Sequence, residues 1–269
     1  MIVQHNITSM NANRQLAQVG KNVAKATEKL ASGYRINRAA DDAAGLSISE
    51  KMRSQVRGLQ RASDNAQDGI SMIQTAEGAL EQQHAILQRA RELVVQASNS
   101  AVLDSASQDF KKIQDELTQL QAEFTSITST TQFNKKTLLN GDMTNAYLQV
   151  GANEEQGIEV TIANVSWAGV TLSSDGKANS NLLTGIDNKI TEVSDKRSYL
   201  GAVQNRLEYR IKVDDNAAEN LQSAESTIRD TDMADEMTRF SKESILQQAA
   251  TSMLAQANQA NQGVLSLLQ

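Results

Sequence analysis

Apolar residues recur along most of the chain at alternating four- and three-residue intervals, the spacing that lines them up on one stripe of an α-helix. From Gly45 to about Ala97, Met52, Leu59, Ala66, Ile73, Leu80, Leu87 and Val94 fall at every seventh position. A helix of that span would run roughly 80 Å at about 1.5 Å per residue, which predicts a rod rather than a globule. Asn99 to Asp104 reads as a turn, and Ser105 with Gln108 has the form of a capping box. Ala106, Phe110, Ile113, Leu117, Leu120, Phe124 and Ile127 predict a second helix. A third, from about Gly185 to Ile228, carries Ile186, Val193, Leu200, Leu207, Leu221 and Ile228, with Asp214 breaking its seam once. A lone polar seam residue can fix register or partner choice at some cost in stability.

The two ends carry seams of their own. Near the start stand Leu16, Val19, Val23, Ala26 and Leu30, with no acidic residue before Glu28. Near the finish, Leu246, Ala250, Met253, Ala257, Ala260, Val264 and Leu267 repeat with strict 4-3 spacing. They lie in a run, Ser244 to Gln269, without a single formal charge but rich in Gln and Asn, too polar for a bilayer span. Such short seams pair weakly alone. They form either a terminal hairpin packed on one monomer or a helix pair ordered only by assembly with other subunits.

Between the helices the texture changes. Gly141, Gly151, Gly157, Gly169, Gly176 and Gly185 cluster there, and Ile158, Val160 and Ile162 alternate with Glu159, Thr161 and Ala163. That is strand periodicity. Tyr147 to Val150 and Val170 to Leu172 read as further short strands, which makes about 133–180 a small β-hairpin region. The predicted fold is mainly α: a long antiparallel helical rod or coiled-coil bundle with a small β-hairpin insertion. Its domains are 1–40 with 230–269 as a terminal coiled coil and 41–229 as a rod.

Composition narrows the chemistry. The 269 residues hold no Pro and no Cys, where average usage would give about 13 prolines. Proline breaks helix interiors, so its lack suits long uninterrupted helices. Without cysteine there is no disulfide, thiolate metal site or Cys nucleophile. The formal net charge of −6 argues against binding duplex nucleic acid. The opening ten residues show no cationic leader followed by an apolar run, so no Sec-type signal is expected, and no stretch predicts a membrane span. His84 has no second ligand at metal spacing, and Asp41-Asp42 reads better as helix-start acids than as a catalytic pair. We expect no catalytic, cofactor or metal site.

Several ordered blocks carry a resemblance. Leu30-Ala-Ser-Gly-Tyr-Arg-Ile-Asn37, Asp41-Asp-Ala-Ala-Gly-Leu46, Asn65-Ala-Gln-Asp-Gly-Ile70 and Gln88-Arg-Ala-Arg-Glu-Leu93 resemble the amino-terminal region of bacterial flagellins. Thr131-Gln-Phe-Asn134, Leu200-Gly-Ala-Val-Gln-Asn-Arg-Leu207 and Leu254-Ala-Gln-Ala-Asn-Gln259 extend it over nearly the whole chain. One departure is Lys135, where many flagellins have Gly.

The resemblance implies a secreted structural subunit that self-assembles into a hollow helical filament and serves as a propeller. It implies type III flagellar export with a chaperone, filament cap and junction proteins as partners, and no enzyme activity. It favours the assembly reading of the terminal seams, whose polymerisation residues would be Leu16, Val19, Val23, Leu30, Leu246, Ala250, Met253, Ala257, Val264 and Leu267. It further implies that Gln88, Arg89, Glu92 and Leu93, with Glu116, contact the host Toll-like receptor that senses flagellin. The same residues could instead make axial subunit contacts or local pairs on a solvated helix face. A hook–filament junction protein is the nearest alternative and a secreted helical enzyme a distant one.

Overall fold

In the computed structural model the chain is mainly α-helical, with two small antiparallel strand pairs. The structure describes residues 6–99, 108–173 and 176–266, with side chains through Gln259. The elements are α1 (Ile7–Ser32), α2 (Ala43–Ala97), α3 (Gln108–Thr130), β1 (Gln132–Phe133), β2 (Lys136–Thr137), β3 (Ala146–Gln149), β4 (Gly157–Val160), α4 (Gly176–Arg229) and α5 (Met233–Ser266). They fall into two compact units, Met1–Ser54 with Asn220–Gln269, and Gln55–Glu219.

In the first unit each helix end is built from short-range chemistry. The Asn6 carboxamide oxygen accepts from the Ser9 N–H at 3.0 Å and starts α1. Gly33 ends it at φ 76°, a left-handed turn that suits glycine, and donates its N–H to the Lys29 carbonyl. Asp42 starts α2 by accepting from the Gly45 N–H at 2.8 Å, and Asp232 starts α5 by accepting from the Ala234 N–H at 2.9 Å. Asp41 accepts from the Arg38 N–H at 3.1 Å, which holds its carboxyl below the usual range. The Asp41-Asp42 pair thus organises a helix start.

The segment after α1 lies antiparallel to the segment before α5. Arg35 donates its N–H to Arg229 at 2.7 Å, and Thr231 donates to Gly33 at 3.0 Å. Arg229 also meets Glu50 at 2.7 Å and lies over the Tyr34 ring at 4.7 Å. This pinning places α1 and α5 side by side and antiparallel. Asn6 donates to the Ala257 carbonyl at 3.0 Å, and Asn22 reaches Glu243 at 3.5 Å.

In the second unit α2, α3 and α4 share one core. Ile73, Leu80 and Leu87 of α2, Leu117 and Phe124 of α3, and Ile186, Val193, Leu200 and Leu207 of α4 are all buried in it. These are the seam residues that the heptad spacing predicts. Cross-links at falling partner numbers make α2 and α4 antiparallel: Ser63 with Asp215, Glu77 with Arg197, and Arg91 with Asp187.

Two local expectations change. Helix α4 begins at Gly176, nine residues before the predicted start, because Gly185 is carried inside the helix. One helical glycine costs only about 1 kcal/mol, and Leu182 and Leu183 recover contact by packing on the core. Val170 to Leu172 is not a strand. Its main chain is instead satisfied by the Gln114 carboxamide, which donates to the Val170 carbonyl at 3.1 Å and accepts from the Leu172 N–H at 2.7 Å. The predicted turn after Asn99 and the capping box at Ser105 fall outside the described residues.

Two strand pairs occupy 132–160. In β3–β4, Ala146 stands opposite Val160 and Leu148 opposite Ile158, with the Ile158 and Val160 side chains buried. Sequence reading overlooks β1–β2, which is only two residues per strand. Its connection is Asn134-Lys135, both at positive φ (48° and 65°), the two-residue turn whose twist matches a hairpin. Lys135 thus sits in the left-handed region that favours glycine, where a side chain costs about 1 kcal/mol. Lys135→Gly should therefore raise stability by about 0.5–1 kcal/mol, read as a higher thermal midpoint; a fall would refute strain at this turn.

Asp214, the seam-breaking residue of α4, is 1% exposed. Its Oδ1 lies 3.1 Å from Arg210 Nη2, while Oδ2 has no partner among the described residues. Arg210 in turn donates through Nε to the Val150 carbonyl at 2.8 Å. Burial raises the Asp214 carboxyl above its ordinary value even with Arg210 beside it, and Asp215 adds to the rise. The folded chain therefore holds this proton more firmly than the unfolded chain does. Stability is lost as pH rises from the ordinary carboxylate value through the raised one. Asp214→Asn should be more stable than the parent at neutral pH, with the gap closing as the solution is acidified. A gap that widens on acidification, in denaturant melts across that range, would reverse the sign of this account.

Candidate assembly surfaces

The terminal seam is built from both ends of the chain, and the structure places its halves differently. On α1, Leu16, Val19, Val23 and Leu30 are half-buried and Ala26 is buried, as the spacing predicts. On α5 the side facing α1 runs through Glu236, Phe240, Glu243, Gln247, Ala250, Leu254 and Ala257. Ala250 and Ala257 are common to the predicted stripe and the observed one. Leu246 and Met253 are not, and stand 42% and 68% exposed.

The physical reason lies at the start of α5. The hydrogen bonds that pin residues 229–231 to 33–35 set the rotation of the helix, which turns Phe240 and Leu254 toward α1. Phe240, Gln247 and Leu254 form their own heptad row, which starts before the charge-free run from Ser244. Val264 lies beyond the described side chains and Leu267 beyond the described residues. The outcome is a helix apolar on two neighbouring stripes, one covered within the chain. Ile245, at 66% exposure, stands uncovered with Leu246 and Met253.

A second surface lies on α2 and α3. Arg89 is held between two carboxylates, Glu92 at 3.1 Å on its own helix and Glu116 at 2.9 Å on α3. Both hold the guanidinium proton more firmly than usual, Glu116 more strongly. Gln88 is exposed one residue away and sits 2.9 Å from His84 Nε2. Four of the five nominated residues, Gln88, Arg89, Glu92 and Glu116, therefore share one exposed face. Leu93 does not: at 2% exposure it packs in the core, because it continues the apolar stripe beside Val94. It helps seat α2 on the core.

Among the described residues no three His, Asp or Glu side chains gather as a metal site, and no helix is long and apolar enough to cross a membrane.

Comparison with known proteins agrees with this architecture. Residues 3–144 match the model of the bacterial flagellin N-terminal helical region, and residues 183–268 that of the C-terminal helical region. Apart from the extreme ends, only the short stretch between them lies outside both, so the form is a compact one without outer domains. The chain is 52% identical over 274 residues to a flagellin of Halalkalibacterium halodurans, covering 100% of both chains. It is 47% identical over 304 residues to a flagellin of Bacillus subtilis, again over 100% of both. It is 46% identical to the flagellar filament 31.3 kDa core protein of Treponema maltophilum, with 100% of each chain covered. Two paired family segments, full-length relatives and the helical architecture agree, and the chain belongs to the bacterial flagellin family.

Proposed function

We propose that this chain is the structural subunit of the bacterial flagellar filament, a secreted homopolymer that drives motility. The observation that supports this most is the uncovered stripe of α5. From Ser244 the chain has no formal charge, yet Ile245, Leu246 and Met253 remain exposed after α1 has packed. Fully burying each such side chain is worth about 1.5–3 kcal/mol. An apolar surface of this kind marks an interaction site.

On this reading 1–40 with 230–269 forms the inner tube of the filament and 41–229 the surrounding rod. The seam residues Leu16, Val19, Val23, Leu30, Ala250 and Ala257 pair the helices within a subunit. Leu246, Met253, Val264 and Leu267 serve contacts between subunits. Charge is excluded there because an ion buried among neighbours would be left without water. Export through the flagellar apparatus with a chaperone, and contacts with cap and junction proteins, belong to the same reading.

A second role is supported by the exposed group on α2 and α3. Gln88, Arg89 and Glu92 with Glu116 form a preorganised charged face on the monomer, suited to recognition by the host Toll-like receptor. A surface free on the monomer can also serve axial contacts in the polymer, so the two roles compete for the same residues.

Met253→Asp tests the assembly reading. The variant should melt like the parent, within about 0.5 kcal/mol, because the side chain is exposed in the free chain. It should form no filaments by electron microscopy under salting-out conditions that polymerise the parent. Normal filaments would overturn the assignment of this stripe. For the second role, Arg89→Ala should leave the melting curve in place and lower the response of receptor-bearing reporter cells; an unchanged response would remove Arg89 from it.

A further inference from the structure

One surface turn, outside both assembly surfaces, combines a reactive sequence with an unprotected geometry. Asn140-Gly141 is the only Asn-Gly step in the chain. It follows two fully buried anchors, Leu138 and Leu139, at 0% and 1% exposure. Asn140 itself is exposed, and Gly141 sits at φ 90°. No described residue bonds the Asn140 carboxamide or accepts from the Gly141 N–H. The neighbouring Asp142 is occupied, accepting from Thr137 Oγ1 at 3.0 Å.

We infer that Asn140 is a site of spontaneous deamidation and isoaspartate formation in the folded protein. The main-chain nitrogen of Gly141, once deprotonated, attacks Cγ of Asn140. A C–N bond forms, the carboxamide nitrogen leaves as ammonia, and a five-membered succinimide closes. Water then opens the ring at either carbonyl to give aspartate or isoaspartate. The net change is Asn plus water to Asp plus ammonia, with no oxidant or enzyme.

Three barriers usually protect folded asparagines, and this turn has none of them. A side chain on the following residue would crowd the ring, and Gly141 has no Cβ. Helix or strand hydrogen bonding would hold the attacking N–H, and here it is free. A bonded carboxamide would be kept from rotating, and this one is not held. Asn179-Ser180 shows the contrast. The Asn179 carboxamide is buried and bonded on both sides, accepting from the Ser173 N–H at 2.7 Å and donating to the Ser173 carbonyl at 2.9 Å. It also lies inside α4.

The change reaches past the turn. It adds one negative charge to a chain of net −6. Isoaspartate also inserts a carbon into the main chain directly after the Leu138 and Leu139 anchors. Asn140 lines a surface cavity of about 340 Å³ with Ser129, Asn164, Ser166 and Trp167, and Trp167 stacks edge-on against Phe124 at 5.7 Å. The single tryptophan of the chain therefore stands beside the reacting turn. The inference does not depend on assembly.

The test uses the full-length purified chain, aged at physiological temperature across neutral to mildly alkaline pH. Peptide mass spectrometry locates deamidation, and protein isoaspartate methyltransferase labelling counts isoaspartate. The expected result is deamidation concentrated at Asn140 and accelerating with pH, with isoaspartate in excess of aspartate and Asn179 intact. Native and urea-unfolded chains should react at comparable rates. Asn140→Gln should abolish the isoaspartate label, since ring closure from glutamine is slow, while the circular dichroism spectrum stays as in the parent. The inference is overturned if Asn140 survives ageing in the folded chain while reacting in urea. Reaction no faster than at exposed Asn145, or a label that persists in Asn140→Gln, would overturn it too.

Discussion

A helix can cover only one stripe of its surface against one partner helix, and much of this protein follows from α5 having more apolar surface than that. Its rotation is fixed where residues 229–231 hydrogen-bond to 33–35. That rotation commits Phe240, Ala250, Leu254 and Ala257 to α1 and leaves Leu246 and Met253 outside. A charge-free run such as that from Ser244 onward is a poor solution for a surface meant to stay in water, since polar and charged residues would cost nothing there. It is a good one for a surface that will be surrounded by copies of itself, where every unpaired ion would have to be desolvated.

The second unit follows a different logic. There, three helices contribute seam residues to one shared core, and charged pairs such as Arg91 with Asp187 cross the exposed helix faces. The two exceptions are local and chemical. Asp214 occupies a place where the heptad calls for an apolar residue, and is tied through Arg210 to the Val150 carbonyl. Lys135 occupies a place where the backbone calls for glycine. Asp214 holds the Arg210 that bonds the Val150 carbonyl, whereas nothing in the structure explains the choice of Lys135.

What could be read from the sequence was whatever depended on periodicity. The rows through Leu80 and Leu87, through Leu117 and Phe124, and through Leu200 and Leu207 proclaim both the helices and their buried faces, because burial and spacing are one signal there. Helix phase was not legible at α5, since Ala250 and Ala257 fit either stripe and the deciding hydrogen bonds join residues 33–35 to the distant 229–231. The start of α4 was hidden because a glycine looks like a stop unless the packing of Leu182 and Leu183 is known. The Val170–Leu172 segment looked like a strand because its main chain is satisfied by a side chain, Gln114, that no local pattern reveals. Leu93 stands among exposed neighbours in sequence, and only the packing shows that it lies inside beside Val94.

On the proposed function, one stripe of α5 is closed within the chain while its neighbour is covered by other subunits. The natural chain has no cysteine, so single cysteines placed by substitution report cleanly on that difference. Thiol-labelling rates of Met253→Cys, compared between free chain and salt-induced polymer, measure it directly. Rapid labelling in the free chain and strong protection in the polymer is the predicted result. Equal labelling in the two states would contradict it.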